Sequence, residues 1–291
     1  MRNLGLLLVL SVLVLSACGS PASAQPSSAG PQRTIEDIGS DTIVNLALAW
    51  AEAYQQVNPT VRISVSGGGS GTGLAALINK TTDIANASRK IKPEEIADAQ
   101  KNGVEPHEIE IARDAIGVIV HPDNPVQQLT LPQISDIYSG KITNWKEVGG
   151  EDRPIVLLSR ESNSGTHVYF LEEVVRLGQK DNKTLFSQDT LLLPSSEGIM
   201  AEVRQNPNAI GYDGLGYITP DVKTLAIARK ESDEYVKPSV ETVNNGKYPI
   251  ARSLFVYTPG EPQGEVKTYL DWVLGPEGQK IVGELGFVPL H

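Results

Sequence analysis

Three stretches, far apart in the chain, set Ser, Gly and Thr at the mouth of a predicted helix. They are Gly39-Ser40-Asp41-Thr42, Gly69-Ser70-Gly71-Thr72-Gly73 and Arg160-Glu161-Ser162-Asn163-Ser164-Gly165-Thr166. The start of a helix leaves backbone N–H groups unpaired and carries partial positive charge, so it attracts an anion. Small hydroxyl residues add donors there, and glycine lets the backbone itself approach closely. One such stretch is a helix cap; three together suggest a cage of donors around one small oxyanion. Arg160, just upstream of Ser164-Gly165-Thr166, adds a cation.

Other phosphate chemistries fit less well. The Gly69–Gly73 loop is followed by Leu74, where a phosphate-loop lysine would stand, and it lacks the third glycine of the dinucleotide pattern. The histidines are His107, His121, His167 and His291, and none pairs with another at metal-ligand spacing. His167 is expected at the surface. An exported phosphate-ester hydrolase with Ser70 or Ser164 as nucleophile would need an activating base or a metal. Neither serine sits in a Gly-x-Ser-x-Gly elbow, and no carboxylate–histidine cluster accompanies them. The expectation is a binding protein with no catalytic residue, cofactor or metal.

The elements that must hold these residues can be read coarsely. Ile43, Leu46, Ala47, Trp50 and Tyr54 fall at helical spacing behind Ser40 or Asp41 as a cap. Val61–Val65 alternates like a strand, and a helix is expected over about Leu74–Asn79. Asp83–Arg89 reads as a short strand ending in a turn, with Asp83 structural. Pro93 sits in the first turn of the next helix, and Ile116–Val120 is an apolar strand. Beyond it come a helix from Leu131 toward Tyr138, a strand over Pro154–Ser159 and a helix from Ser164. A helix over about Ser196–Gln205, strands at Ala209–Tyr212 and Leu254–Tyr257, and helices over Val266–Leu274 and about Glu277–Leu285 complete the pattern. Trp145 is assigned to packing. Glu94-Glu95 and the acids from Glu105 to Glu110 are assigned to a solvated face. Strands alternating with helices imply an α/β fold with mainly parallel sheets, whose ligands sit where strands end and helices begin.

The ends define the compartment. Arg2 followed by the apolar run Leu6–Leu15 and Leu15-Ser16-Ala17-Cys18 reads as a secretory leader over 1–17. Small residues directly before a cysteine resemble a bacterial lipobox, in which Cys18 carries a lipid. Cys18 is the single cysteine, so the chain has no intramolecular disulfide and no cysteine metal site. Residues 18–32, rich in Ser, Ala, Pro and Gly, read as a flexible tether. The formal charge of −10 becomes −11 once Arg2 leaves with the leader. So acidic a chain is a poor partner for nucleic acid, and an anion must be held by local dipoles and arginines against the net field.

Taken together, these residues resemble the phosphate-binding receptor family of bacterial phosphate ABC transporters, type II solute-binding proteins. The resemblance runs from Ile38 to the C-terminus. Arg160 with Ser164-Gly165-Thr166 matches the family signature in type and spacing; Ser70 falls on its Gly-Ser loop and Gly39–Thr42 on its first anion-binding turn. Ser139–Trp145 with Val148-Gly149-Gly150, Ala209–Tyr212, and Tyr248-Pro249-Ile250 with Leu254 also fit. The resemblance implies two lobes, 33–113 plus 251–291 and 114–250, with a ligand cleft between them. It implies a monomer tethered outside the membrane by Cys18 that hands phosphate to an ABC permease. The implied phosphate ligands are Ser40, Asp41, Thr42, Ser70, Gly71, Thr72, Ser88, Arg89, Arg160, Ser164, Gly165 and Thr166. At one position the chain departs from the family. Where some members carry an aspartate that accepts the proton of phosphate, and so rejects sulfate, this chain has Arg89, which can only donate. Asp41 is the alternative acceptor. Sulfate, molybdate, tungstate and arsenate therefore remain alternative ligands.

Overall fold

The computed structural model describes residues 33–291; the leader, Cys18 and the tether lie outside the described residues. In chain order the first elements are β1 (Arg33–Gly39), α1 (Asp41–Val57), β2 (Val61–Ser66), α2 (Ser70–Ile78), β3 (Ile84–Ala87), α3 (Pro93–Lys101) and a long β4 (His107–Val120). β5 (Gln128–Thr130) and α4 (Leu131–Tyr138) precede a 3₁₀ turn at Trp145–Val148. β6 (Val156–Arg160) then leads into α5 (Gly165–Phe170), which continues as a π-helical turn over Leu171–Val175. The remaining elements are β7 (Leu191–Leu193), α6 (Ser196–Gln205), β8 (Ala209–Gly214), β9 (Lys223–Thr224), β10 (Ala226–Ala228), α7 (Val240–Asn244), β11 (Ala251–Thr258), α8 (Gly264–Leu274) and α9 (Pro276–Glu284).

The main sheet runs β2-β1-β3-β11-β4-β8-β6-β7, with β9 beside β4, while β5 and β10 pair separately. Its outer strands are parallel: β2 and β3 flank β1, and β7 and β8 flank β6. Its middle is antiparallel, where β11 pairs with β3 and β4, and β4 with β8 and β9. The sheet is therefore mixed. Each half is wound with strand–helix crossovers, and the antiparallel middle arises where the chain crosses to the second half along β4 and returns along β11.

Each half has its own apolar core. In the first, Ile43, Leu46, Ala47, Trp50 and Tyr54 of α1 pack with strand and α8 residues such as Ile35 and Tyr269. Their three- and four-residue spacing puts them on one helical face, and the Trp50 indole N–H donates to Gly278 O at 2.8 Å, pinning α1 to α9. In the second, Ile116, Val118, Ile134, Tyr138, Phe170 and Tyr212 share a cluster with Trp145. α4 starts on a capping box, Thr130 with Gln133, and has Pro132 in its first turn.

Several boundaries differ from the sequence reading. α2 begins at Ser70 rather than Leu74, so the Gly-Ser loop residues are themselves its first turn. β4 begins nine residues before Ile116. Its Glu108 and Glu110 are not simply solvated, because they accept hydrogen bonds from Tyr257 Oη (2.6 Å) and Ser253 Oγ (2.7 Å) on β11. β6 starts at Val156 and extends to Arg160.

Candidate functional site

The first turn of the site follows β1. Gly39 ends the strand with its Cα pressed on β3: a Cβ there would stand 2.2 Å from Asn86 O, so no larger residue fits. Ser40 occupies the N-cap position of α1 but makes no capping bond with its side chain. Its hydroxyl instead donates to Ser88 Oγ at 2.9 Å. The second turn starts α2. Ser70 is fully buried; its Oγ accepts from Ser88 N at 3.0 Å and lies 3.3 Å from Ser88 Oγ. The third turn follows β6. Ser164 caps α5 by accepting from Thr166 N and His167 N.

These turns meet. Thr42 Oγ1 and Thr166 Oγ1 are 2.8 Å apart, Gly71 N donates to Asn163 O at 2.9 Å, and Asn163 Nδ2 donates to Gly68 O at 2.8 Å. A Cβ on Gly165 would lie 2.3 Å from Ser70 Oγ and 2.6 Å from Ser88 Oγ. Glycine is thus required for the third turn to seat against the other two. The result is a buried cluster of hydroxyls, Ser40, Thr42, Ser70, Ser88, Ser164 and Thr166, each at most 3% exposed. Such hydroxyls can rotate to donate toward a shared acceptor.

Arg160, 1% exposed, stands beside the cluster. It donates to Ser196 Oγ (2.8 Å), Pro194 O (2.8 Å) and Leu193 O (3.4 Å), and its Nη2 is 3.0 Å from Asp41 Oδ2. Three of the five guanidinium N–H groups are therefore used by hydrogen bonds, leaving two for Asp41 and for an anion. Ser196 Oγ in turn donates a hydrogen bond to Asp213 Oδ1 at 3.0 Å. Asp213 is fully buried; burial pushes its carboxyl up to about 6, while Arg160 and hydrogen bonds from Gly214 N and Ser196 work in the other direction.

Four expected ligands have polar groups engaged in other contacts. Arg89 makes a two-pronged pair with Glu95 at 2.7 and 2.8 Å and donates to Lys90 O, so its guanidinium is committed to the start of α3. Thr72 is exposed, and its hydroxyl donates to Gly68 O. Asp41 lies at the edge of the cage, but its Oδ2 serves Arg160 and accepts from Ser196 N at 2.9 Å. Gly71 uses its N–H on Asn163 O. His167 is not at the surface: it is half-buried, with Nδ1 3.0 Å from Ser159 Oγ, and burial lowers its pKa. The sequence reading missed Ser196 and Asp213 as partners of Arg160. The weak signal was an acid directly after the apolar strand Ala209–Tyr212, where burial forces it to find a partner.

A cluster of buried donors around one arginine can hold a desolvated oxyanion. The hydroxyl of Ser70 meets Ser88, and that of Ser164 accepts from its own helix, so neither is set against a base.

The PBP superfamily domain model matches residues 24–277. The phosphate-binding protein PstS of Pseudomonas aeruginosa is 35% identical over 280 residues, covering 90% of this chain and 85% of that protein. The chain belongs to this family. PstS of Bacillus subtilis is 31% identical over 293 residues, covering 98% and 92% of the two chains. A structure from Clostridium perfringens, described as a phosphate ABC transporter substrate-binding protein with bound phosphate, superposes with a TM-score of 0.79 at 35% identity. It covers 89% of this chain and all of its own. An ABC-type phosphate transport receptor of Vibrio cholerae superposes at 0.69 with 26% identity. The PstS relatives are named as phosphate-binding proteins, and the fold shared with the solved structures is the two-lobe α/β binding-protein fold.

Proposed function

We propose that the chain is an extracytoplasmic receptor, anchored by a lipid on Cys18, that binds inorganic phosphate between its lobes and delivers it to an ABC permease. The observation that carries this reading is the meeting of three strand-to-helix turns in one buried hydroxyl cluster beside Arg160. The lobes would be 33–113 plus 251–291 and 114–250, a division supported by the crossing of the chain along β4 and β11, although Val288 packs into the core of the second. Ser40, Thr42, Ser70 and Ser88 donate from the first lobe; Arg160, Ser164, Gly165 and Thr166 donate from the second. Asp41 fixes Arg160 rather than accepting the ligand's proton, and Arg89 and Thr72 stay outside the first contacts. Among the described residues no helix is long and apolar enough to cross a membrane. Charge-assisted hydrogen bonds in a dry site offset the cost of stripping water from the anion.

The test is calorimetric titration of the leaderless, phosphate-stripped protein with phosphate, repeated with excess sulfate and molybdate. One-to-one phosphate binding that survives both competitors is the expected result. Equal or tighter binding of either competitor would overturn phosphate as the ligand while leaving an oxyanion cage.

A further inference from the structure

Arg252 lies on β11 directly opposite Asp114 on β4, where the chain crosses between the halves. Both side chains are buried, 2% and 0% exposed. Arg252 Nε and Nη2 both donate to Asp114 Oδ2, at 3.2 and 2.8 Å. Asp114 Oδ1 accepts from Leu215 N at 3.0 Å, which ties it to the turn after β8. The third nitrogen, Nη1, reaches the other way and donates to Ser88 O at 3.1 Å. Ser88 is the centre of the hydroxyl cluster, since it receives from Ser40 and sits against Ser70 through both its hydroxyl and its N–H. The Arg252 guanidinium also lies 5.7 Å from the ring of Tyr169 on α5, and the Tyr169 hydroxyl donates to Ala251 O at 2.7 Å. One side chain on the returning strand thus contacts the Ser88 turn, the start of the second half and the helix that bears Gly165 and Thr166.

We propose that Arg252 is a positioning residue for the oxyanion cage: it holds the Ser88 carbonyl against the β4–β11 crossing, so the seat of Ser88 depends on how the two halves are set. This inference rests on the cage being the phosphate site. A planar guanidinium spans Asp114 and Ser88 at once, whereas the point charge of a lysine serves one or the other. Closing the lobes would then order Ser88, and ordering Ser88 would favour the closed arrangement, as linkage requires.

The test uses Arg252→Lys and the neutral pair Arg252→Gln with Asp114→Asn, which avoids stranding a buried charge should the single variant fold poorly. Two readouts are taken on the mature protein. The first, independent of any ligand, is amide hydrogen exchange over residues 84–90. Exchange at Ser88 is expected to quicken about tenfold or more as its bond to Ser70 loosens. The second is the phosphate titration, in which the variants are expected to bind about tenfold more weakly through faster dissociation. Trp50→Phe, which deletes the indole bond from α1 to Gly278 O and touches neither Arg252 nor Ser88 by hydrogen bond, is the control for lost stability and is expected to leave both readouts unchanged. Unchanged Ser88 exchange in the variants overturns the positioning role. So does an equal change in Trp50→Phe. If wild-type protein does not bind phosphate, the ligand assignment fails, and the exchange result still decides the role of Arg252.

Discussion

At the scale of single residues, Arg160 is held in place by the protein itself, before any anion. Asp41 Oδ2, Ser196 Oγ and two backbone carbonyls fix its guanidinium, and Asp213 sits behind Ser196. Removing the arginine would delete a donor and also leave Asp41 and Asp213 without their cation beside an incoming anion. Arg160→Ala is therefore expected to weaken phosphate binding by at least about tenfold, since buried charge-assisted contacts are worth about 1.5–3 kcal/mol and stranded charges cost more. Adding Asp41→Asn to that variant should recover part of the loss by removing one of the stranded charges. A titration of both variants and of Asp41→Asn alone closes the cycle. Additive effects would show that Asp41 and Arg160 act independently.

At the scale of elements, much of the proposed cage was legible because its residues are local. Ser40, Ser70 and Ser164 each stand at a strand-to-helix turn, and the helices behind them show apolar faces in a single sequence. What was not legible is pairing between distant segments. β4 carries Glu108, Glu110 and Asp114, acids that interrupt its apolar pattern. Each finds a partner on β11: Tyr257 for Glu108, Ser253 for Glu110 and Arg252 for Asp114. The commitment of Arg89 to Glu95 likewise depends on how α3 folds back after β3. A carboxylate hidden between strands is a further case. Asp37 on β1 is 2% exposed and accepts from Asn86 Nδ2 on β3 at 2.5 Å. Burial pushes its pKa from 3.8 up to about 7, against the lowering effect of Asn86. The folded chain therefore keeps a proton that the unfolded chain releases. The stability this provides is complete below about pH 4 and is lost as pH rises toward 7, at no more than about 1.4 kcal/mol per pH unit. Asp37→Asn is expected to flatten that slope, which urea unfolding at a series of pH values from 4 to 8 would measure. An unchanged slope would assign the pH dependence to another group.

At the scale of the whole molecule, the two halves meet through polar contacts that water could replace. Thr42 meets Thr166, Asp41 meets Arg160 and Ser196, Tyr217 Oη donates to Asp41 O at 2.8 Å, and Asn163 bonds Gly68 and Gly71. Each such bond contributes a net ~1 kcal/mol or less against hydration, so open and closed arrangements of a two-lobe receptor lie close in free energy. A ligand shifts that balance only by contacting the closed form better. An anion that takes donors from both halves does so. Tyr217→Phe keeps the ring and deletes the inter-lobe hydroxyl bond outside the cage. It is expected to weaken phosphate binding severalfold without altering the ligand's own contacts. The change should appear as a larger radius of gyration by small-angle scattering in the absence of phosphate, returning to the wild-type value at saturation. A variant with weakened binding but unchanged dimensions in both states would show instead that Tyr217 acts on the cage itself, through the Asp41 backbone.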